Sequence, residues 1–254
     1  MKTKIIVMIC LLSAAISCSK KTEIPGIMIF NYGSIPQTEI ETVSGTRIYI
    51  DVADPQMVIK PPKAGDILLI THSHHPDHYN SVFADSFPGK KLIAEEGKIE
   101  DAGYKITGLK ALHNTGDQYL SKGGTDYIFL IEADGVKIAH FGDIGQEKFT
   151  EEQLPFLKGL DVALMQFENQ YSGMPAGSDK GYNLMKEIQP KIIIPTHIQD
   201  VSIKKACGIW KPYFSVKNGV KITKDILPGS TSFILMGYNG SIYSKELNAQ
   251  QWDN

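Results

Sequence analysis

Apolar residues along this chain fall mostly into short unbroken or alternating runs, and only a few stretches repeat at helical spacing. Gly26–Asn31, Thr46–Asp51 and Asp66–Ile70 are rich in β-branched, aliphatic or aromatic residues and bounded by Gly, Pro or Asp, which predicts strands. Ile67-Leu68-Leu69-Ile70 is apolar on both faces, as a strand inside a covered sheet requires. Further strands are predicted over Lys91–Ala94, Tyr104–His113, Tyr127–Ala133 and Val136–His140, with Asp134-Gly135 a two-residue hairpin signal between the last two. The second half alternates differently. Helical spacing over Glu151–Leu160 and Lys180–Ile188 leads into apolar strands at Val162–Gln166 and Ile192–Ile194, with Pro190 stopping the second helix. Thr231–Met236 and Ser241–Tyr243 close the chain around Asn239-Gly240. Many strands with a few interleaved helices predict an α/β fold with a sheet-on-sheet core covered by helices.

Size and composition fit that picture. The chain has 254 residues, 42% hydrophobic and 21% charged, enough for one sizeable core and unlike a disordered, collagen-like or disulfide-dense protein. Net charge is −2 and no block of Lys and Arg stands out, so a nucleic-acid partner has no electrostatic footprint.

The first residues read as an address. Lys2 and Lys4 precede a largely apolar run from Ile5 to Ile16, shorter than the roughly 20 residues of a membrane span. Ala15-Ile16-Ser17-Cys18 resembles a bacterial lipobox, with Ala15 in place of the usual Leu. The expected organisation is a signal peptide over 1–17, a lipidated Cys18 with a polar tether over 18–25, and one domain over 26–254. That makes the expected product an exported lipoprotein, periplasmic or cell-surface, touching the membrane only through its lipid. Cys207 would then be the sole remaining thiol, read as a small buried side chain.

The chemistry is concentrated in histidines. The apolar strand runs into Thr71-His72-Ser73-His74-His75-Pro76-Asp77-His78, which holds four of the seven histidines. Two imidazoles at i and i+2 project to one side of an extended chain and can reach one metal ion. Asp77 and His78 follow after a turn, within reach of a second. His113 ends a strand and enters Asn114-Thr115-Gly116-Asp117; His140 and Asp143 lie in His140-Phe141-Gly142-Asp143; His197 follows Ile194-Pro195-Thr196. Each of these follows a strand, which points to convergence on one rim.

Taken together, Thr71-His72-x-His74, Asp77-His78, His113, Gly142-Asp143 and Pro195-Thr196-His197 resemble the metallo-β-lactamase superfamily of binuclear metal hydrolases. The segment Ala139 to Gly145, with Leu164-Met165 and Ile194 to His197, is similar to the branch containing ascorbate-phosphate lactonase-like proteins. The resemblance implies an αββα four-layer sandwich carrying two divalent ions, zinc by preference, with manganese or iron as alternatives. His72, His74 and His113 would hold one ion, Asp77, His78 and His197 the other, and Asp143 would bridge both. The family spacing His-x-His-x-Asp-His is longer here by one residue. Either a bulge precedes Asp77, or His75 replaces His74 with Ser73 in the first His position. The bulge is preferred because the shifted register forfeits a ligand. A site weakened in metal affinity is the third alternative.

The implied activity is metal-dependent hydrolysis of a small-molecule ester, lactone or phosphodiester by hydroxide formed on the paired ions. Asp77 would orient that hydroxide or take its proton. His140 would support the site from behind or protonate the leaving group, and Tyr171, in Asn169-Gln170-Tyr171-Ser172, would face substrate. The competing expectation is a non-catalytic metal- or ligand-binding lipoprotein on the same fold.

Overall fold

A computed structural model describes residues 25–33, 35–114, 124–217 and 219–237, and the backbone of 250–251. The signal, Cys18, most of the tether, residues 115–117 and the expected closing turn and strand at 239–243 lie outside the described residues.

Two sheets face one another. The first takes β1 (Gly26–Asn31), β2 (Thr38–Glu41), β3 (Arg47–Ile50), β4 (Ile67–Ile70), β5 (Lys90–Ile93) and a late strand, β13 (Val220–Thr223), in the order β13-β1-β2-β3-β4-β5. The second contains β6 (Gly97–Asp101), β7 (Tyr104–Leu112), β8 (Thr125–Ala133), β9 (Val136–His140), β10 (Val162–Met165), β11 (Ile192–Pro195), β12 (Tyr213–Val216), β14 (Ser232–Met236) and β15 (Gln250–Gln251). Its order is β15-β12-β14-β11-β10-β9-β8-β7-β6. Helices α1 (Ser81–Ser86), α2 (Leu154–Leu157), α3 (Lys180–Ile188) and α4 (Asp200–Ile209) cover the outside.

The layering follows from strand alternation. In β4, Ile67 and Leu69 face the core between the sheets, while Leu68 and Ile70 pack outward with Tyr49, Ala84 and Phe87 beneath α1. The second sheet repeats the scheme. Val162 and Leu164 of β10 point into the central core, while Ala163 and Met165 pack outward with Leu184, Met185 and Ile203 of α3 and α4. The result is the αββα sandwich the resemblance implies.

Strand direction gathers the chemistry. β9, β10 and β11 are parallel; β7 and β9 are each antiparallel to β8, so β7 runs the same way. The carboxyl ends of β7, β9, β10 and β11 therefore share one edge, and residues 113, 143, 166 and 197 follow them there. The β8–β9 hairpin turns at Asp134-Gly135 as expected, both residues having positive φ.

Several elements differ from the hydrophobic pattern. Only Leu154–Leu157 of the expected Glu151–Leu160 helix is helical; turns precede it, and Gly159 at φ 69° follows it. β2 escapes a pattern based on apolarity because its Glu39, fully buried, is paired with Arg47 at 2.6 Å. α1, α4, β6, β12 and β13 are also additions.

Candidate metal centre

The segment after β4 leaves the sheet as irregular chain and then turns, with His78 N–H donating to His75 O at 3.3 Å. This places His72, His74 and His78 on the same side as His113, Asp143 and His197. Nitrogen atoms of His72, His74 and His113 lie within 4.8 Å of one another, and so do ligand atoms of His72, His78 and Asp143. His74 rather than His75 joins the first trio, the geometry of the bulged register. His75 lines the cleft instead.

Asp143 is the hub. Its Oδ1 lies 3.2 Å from Nε2 of both His78 and His197, and its Oδ2 lies 3.5 Å from His113 Nε2 and 3.9 Å from His72 Nε2. His78 and His197 bring their Nε2 atoms within 3.3 Å. Burial works against charge on Asp143, yet His78, His113 and His197 hold its pKa well below the usual carboxylate range. Burial likewise opposes charge on His78, but Asp143 and Asp51 outweigh it and raise its pKa well above the ordinary value. His72 is pushed the other way, by burial first and then by the neighbouring imidazoles, His78 foremost. Burial and the neighbouring imidazoles bring His74 down to about 4.

The donor set fits divalent cations. His72 Nε2, His113 Nε2 and Asp143 Oδ1 are buried without a hydrogen-bond partner. Each such atom costs about 1–3 kcal/mol when left unsatisfied. Three orphaned ligand atoms converging within a few ångströms are what a bound cation satisfies, and imidazole with carboxylate suits zinc and similar ions.

Three residues to which the sequence assigns no role at the site complete the frame. Asp51, at the end of β3, accepts from Thr71 N–H at 2.7 Å and Thr71 Oγ at 2.8 Å, and takes His78 Nδ1–H at 2.9 Å. That bond aims His78 Nε2 at Asp143. Asp126, fully buried, lies 3.2 Å from His72 Nδ1. Burial and the charges of Asp143 and Asp51 lift its pKa well above the usual range. Asn169 donates to Asp143 Oδ2 at 2.6 Å. Asp51 ends a predicted strand just as the histidines do, so the same rule identifies it. Asp126 begins its strand and carries no such signal.

Gly142 makes the bend that delivers Asp143. Its φ is +53°, and a Cβ there would stand 2.4 Å from Asp126 Oδ1 and 2.7 Å from Thr71 Cβ. Such contact admits only glycine.

The remaining expected residues occupy different places. Asp77 is exposed and lines the cleft, but its carboxylate belongs to neither trio of close ligand atoms. Tyr171 lines the same cleft, 68% exposed, its ring 6.1 Å from that of His75. His140 requires a correction as a proton donor to a leaving group. It is fully buried, its Nε2–H donates to Pro36 O at 3.1 Å, and its Nδ1 accepts from Gly142 N–H at 3.2 Å. Both nitrogens are engaged with backbone, so the supporting role is the one its geometry allows.

Above the hub opens a cleft of about 650 Å³ walled by His75 and Asp77 on one segment and Glu168 to Tyr171 on another. A four-layer sandwich with a histidine and aspartate hub at the edge of its sheets defines a class, and the sequence comparison agrees: residues 38–197 match the beta-lactamase superfamily domain. The chain belongs to the metallo-β-lactamase superfamily. A metal-dependent hydrolase of the UPF0173 family from Thermococcus onnurineus (strain NA1) is 28% identical over 181 residues, covering 62% of this chain and 79% of the relative. Among solved structures, a candidate Zn-dependent hydrolase of this superfamily from Thermotoga maritima superposes with a TM-score of 0.60. It shares 21% identity, over 82% of this chain and 98% of that one. A candidate metal-dependent hydrolase from Parabacteroides distasonis ATCC 8503 gives a TM-score of 0.52 at 20% identity, over 80% and 90% of the two chains. Likeness at these identities establishes the fold.

Proposed function

We propose that this chain is a metal-dependent hydrolase with a two-ion centre, acting on a small-molecule ester, lactone or phosphodiester. The observation that carries the reading is the convergence of His72 Nε2, His113 Nε2 and Asp143 Oδ1, buried and unpartnered, behind an open cleft that Asp143 lines. One set would be His72, His74 and His113; the other His78 and His197, with Asp143 between them and Asp77 at the rim. Bound there, divalent ions supply Lewis acidity and lower the pKa of water from 15.7 towards about 7.

The chain's own residues do the rest. Asp51 holds His78, Asp126 backs His72, and Asn169 fixes Asp143, so the ligand atoms are aimed before any ion arrives. Asp77 faces the cleft with its carboxylate exposed, placed to orient a water or take its proton. Gln170 and Tyr171 offer neutral polar contacts to substrate. Kinship with the lactonase-like branch, zinc as the resident metal, and export as a lipid-anchored protein through Cys18 belong to the same proposal. They rest on the motifs of the sequence.

Elemental analysis of purified protein, paired with a chelator, tests the reading. Two equivalents of divalent metal are expected, with ester, lactone or phosphodiester hydrolysis lost on chelation and restored by zinc or manganese. Metal-replete protein inert across that panel, with activity indifferent to Asp143→Ala, rejects it.

A further inference from the structure

One buried amide lies between the hub and the wall of the cleft. Gln166 directly follows β10 and is fully buried. Its Nε2 donates to Ile144 O at 2.8 Å and to Ser172 Oγ at 2.8 Å. A carbonyl oxygen only accepts, so the nitrogen must face Ile144, which fixes the orientation of the amide. Its Oε1 is buried without a hydrogen-bond partner among the described residues. Such an atom costs stability, and an apolar side chain of similar length would avoid that cost. What the amide adds is the pair of donated bonds.

Those bonds reach the centre from two sides. Ile144 adjoins Asp143 in the chain. Ser172 Oγ donates in turn to Asn169 O at 3.2 Å. The Asn169 side chain then donates to Asp143 Oδ2 at 2.6 Å while its Oδ1 accepts from Tyr171 N–H at 3.0 Å. The turn from Asn169 to Met174 is closed on itself, each of these two residues donating its N–H to the other's carbonyl, at 2.7 and 2.9 Å. Space is as tight as the bonding. Gly145 N–H donates to Leu112 O at 2.7 Å, and a Cβ on Gly145 would stand 2.1 Å from His113 O and 2.2 Å from Ser172 O. The segments carrying His113, Asp143 and Asn169 therefore meet without slack. Phe167 and Glu168 both donate their N–H groups to His197 O, at 2.7 and 3.1 Å, so the stretch that Gln166 begins also holds the segment of His197. We propose that Gln166 is a positioning residue of the metal centre, holding Asp143 through Ile144 and Asn169 through Ser172, so that the hub and the turn carrying Tyr171 keep one fixed register. This rests on the two-ion centre proposed above and is indifferent to the bond that the enzyme cleaves.

The test compares Gln166→Met, which keeps length and loses both donors, with the unaltered protein. Each is stripped by a chelator and titrated with cobalt(II), whose visible d–d absorption reports ligand geometry. Gln166→Met should weaken cobalt binding about threefold to tenfold, less than the loss of a group that touches a ligand itself, and should alter the d–d spectrum. Val136→Ala is the control for lost stability alone: it opens a cavity at the buried start of β9, the end away from the site, and should leave affinity and spectrum as they were. A second readout needs no metal. The Asn169 side-chain amide signal in the NMR spectrum of stripped protein, assigned by its loss in Asn169→Ala, should move in Gln166→Met. Ser172→Ala cuts only the branch to Asn169 and should give a smaller change of the same kind; it carries the test if Gln166→Met does not fold. Unchanged affinity, spectrum and amide signal in the folded variant overturn the proposal, as does an equal spectral change in Val136→Ala. Unaltered protein that takes up no cobalt sinks the two-ion reading, and the amide signal then decides the positioning role by itself: a shift supports it and a fixed signal rejects it.

Discussion

Replacing Gly142 by alanine separates backbone strain from crowding at the centre. At φ +53° any L side chain sits in the left-handed region, which costs about 1–2 kcal/mol. The added Cβ would stand 2.4 Å from Asp126 Oδ1, 2.7 Å from Thr71 Cβ and 2.8 Å from Thr71 Oγ1, all in a fully buried setting. Relieving such overpacking costs about 1–3 kcal/mol more. A total of about 2–5 kcal/mol corresponds to a fall in Tm of roughly 5–15 °C for a chain of this size. Gly135 is the internal control. Its φ is +79° with nothing within 4 Å of a Cβ, so alanine there should show the backbone cost alone. The two neighbours that must give way at Gly142 are the partners of His72 and Asp51, so Gly142→Ala should also lose metal. The assay is thermal unfolding of both variants with and without zinc, followed by elemental analysis. Equal destabilisation by the two alanines, or a full metal complement in Gly142→Ala, refutes the crowding argument.

Other expectations follow from the same geometry. Asp51→Asn keeps the side chain's shape but loses an acceptor shared by Thr71 Oγ and His78 Nδ1; metal affinity should fall about 10–100-fold, measured by competition with a chelating dye. Stripping the metal should lower stability by about 4 kcal/mol when free metal stood at a thousand times its Kd, seen as a Tm that rises with added zinc. A Tm indifferent to zinc would remove the case for native-state binding. Burial pushes the Cys207 thiol up to about 12, so it stays protonated at pH 8. Iodoacetamide should leave Cys207 unmodified in native protein and label it on unfolding, read by mass spectrometry of its peptide. Gln189 ends α3 at φ +46°, where glycine fits better. Gln189→Gly should raise stability by about 0.5–1 kcal/mol in urea titration, activity unchanged.

Much of this protein could be read directly. β4 is apolar on both faces because it is covered on both, and the run Ile67–Ile70 declares that without reference to any other residue. The hairpin at Asp134-Gly135 and the helix Lys180–Ile188 are equally local, since turn chemistry and helical spacing are properties of a few neighbouring residues. The histidines and Asp143 stood out because each follows a strand, and strand direction brings those ends to one edge.

Tertiary structure decided the rest. β2 reads as polar until Arg47 arrives from the next strand to neutralise buried Glu39. Asp51 and Asp126 are single acids in sequence and become supports only when folding sets them behind His78 and His72. His140 looked chemically available after its strand, yet Pro36, 104 positions away, and Gly142 occupy both its nitrogens. The choice between His74 and His75 likewise depended on where His113 comes to rest. Periodicity and turn chemistry act over a few residues and are written in the chain. Burial, pairing and the pKa values they create arise from groups that meet only after folding.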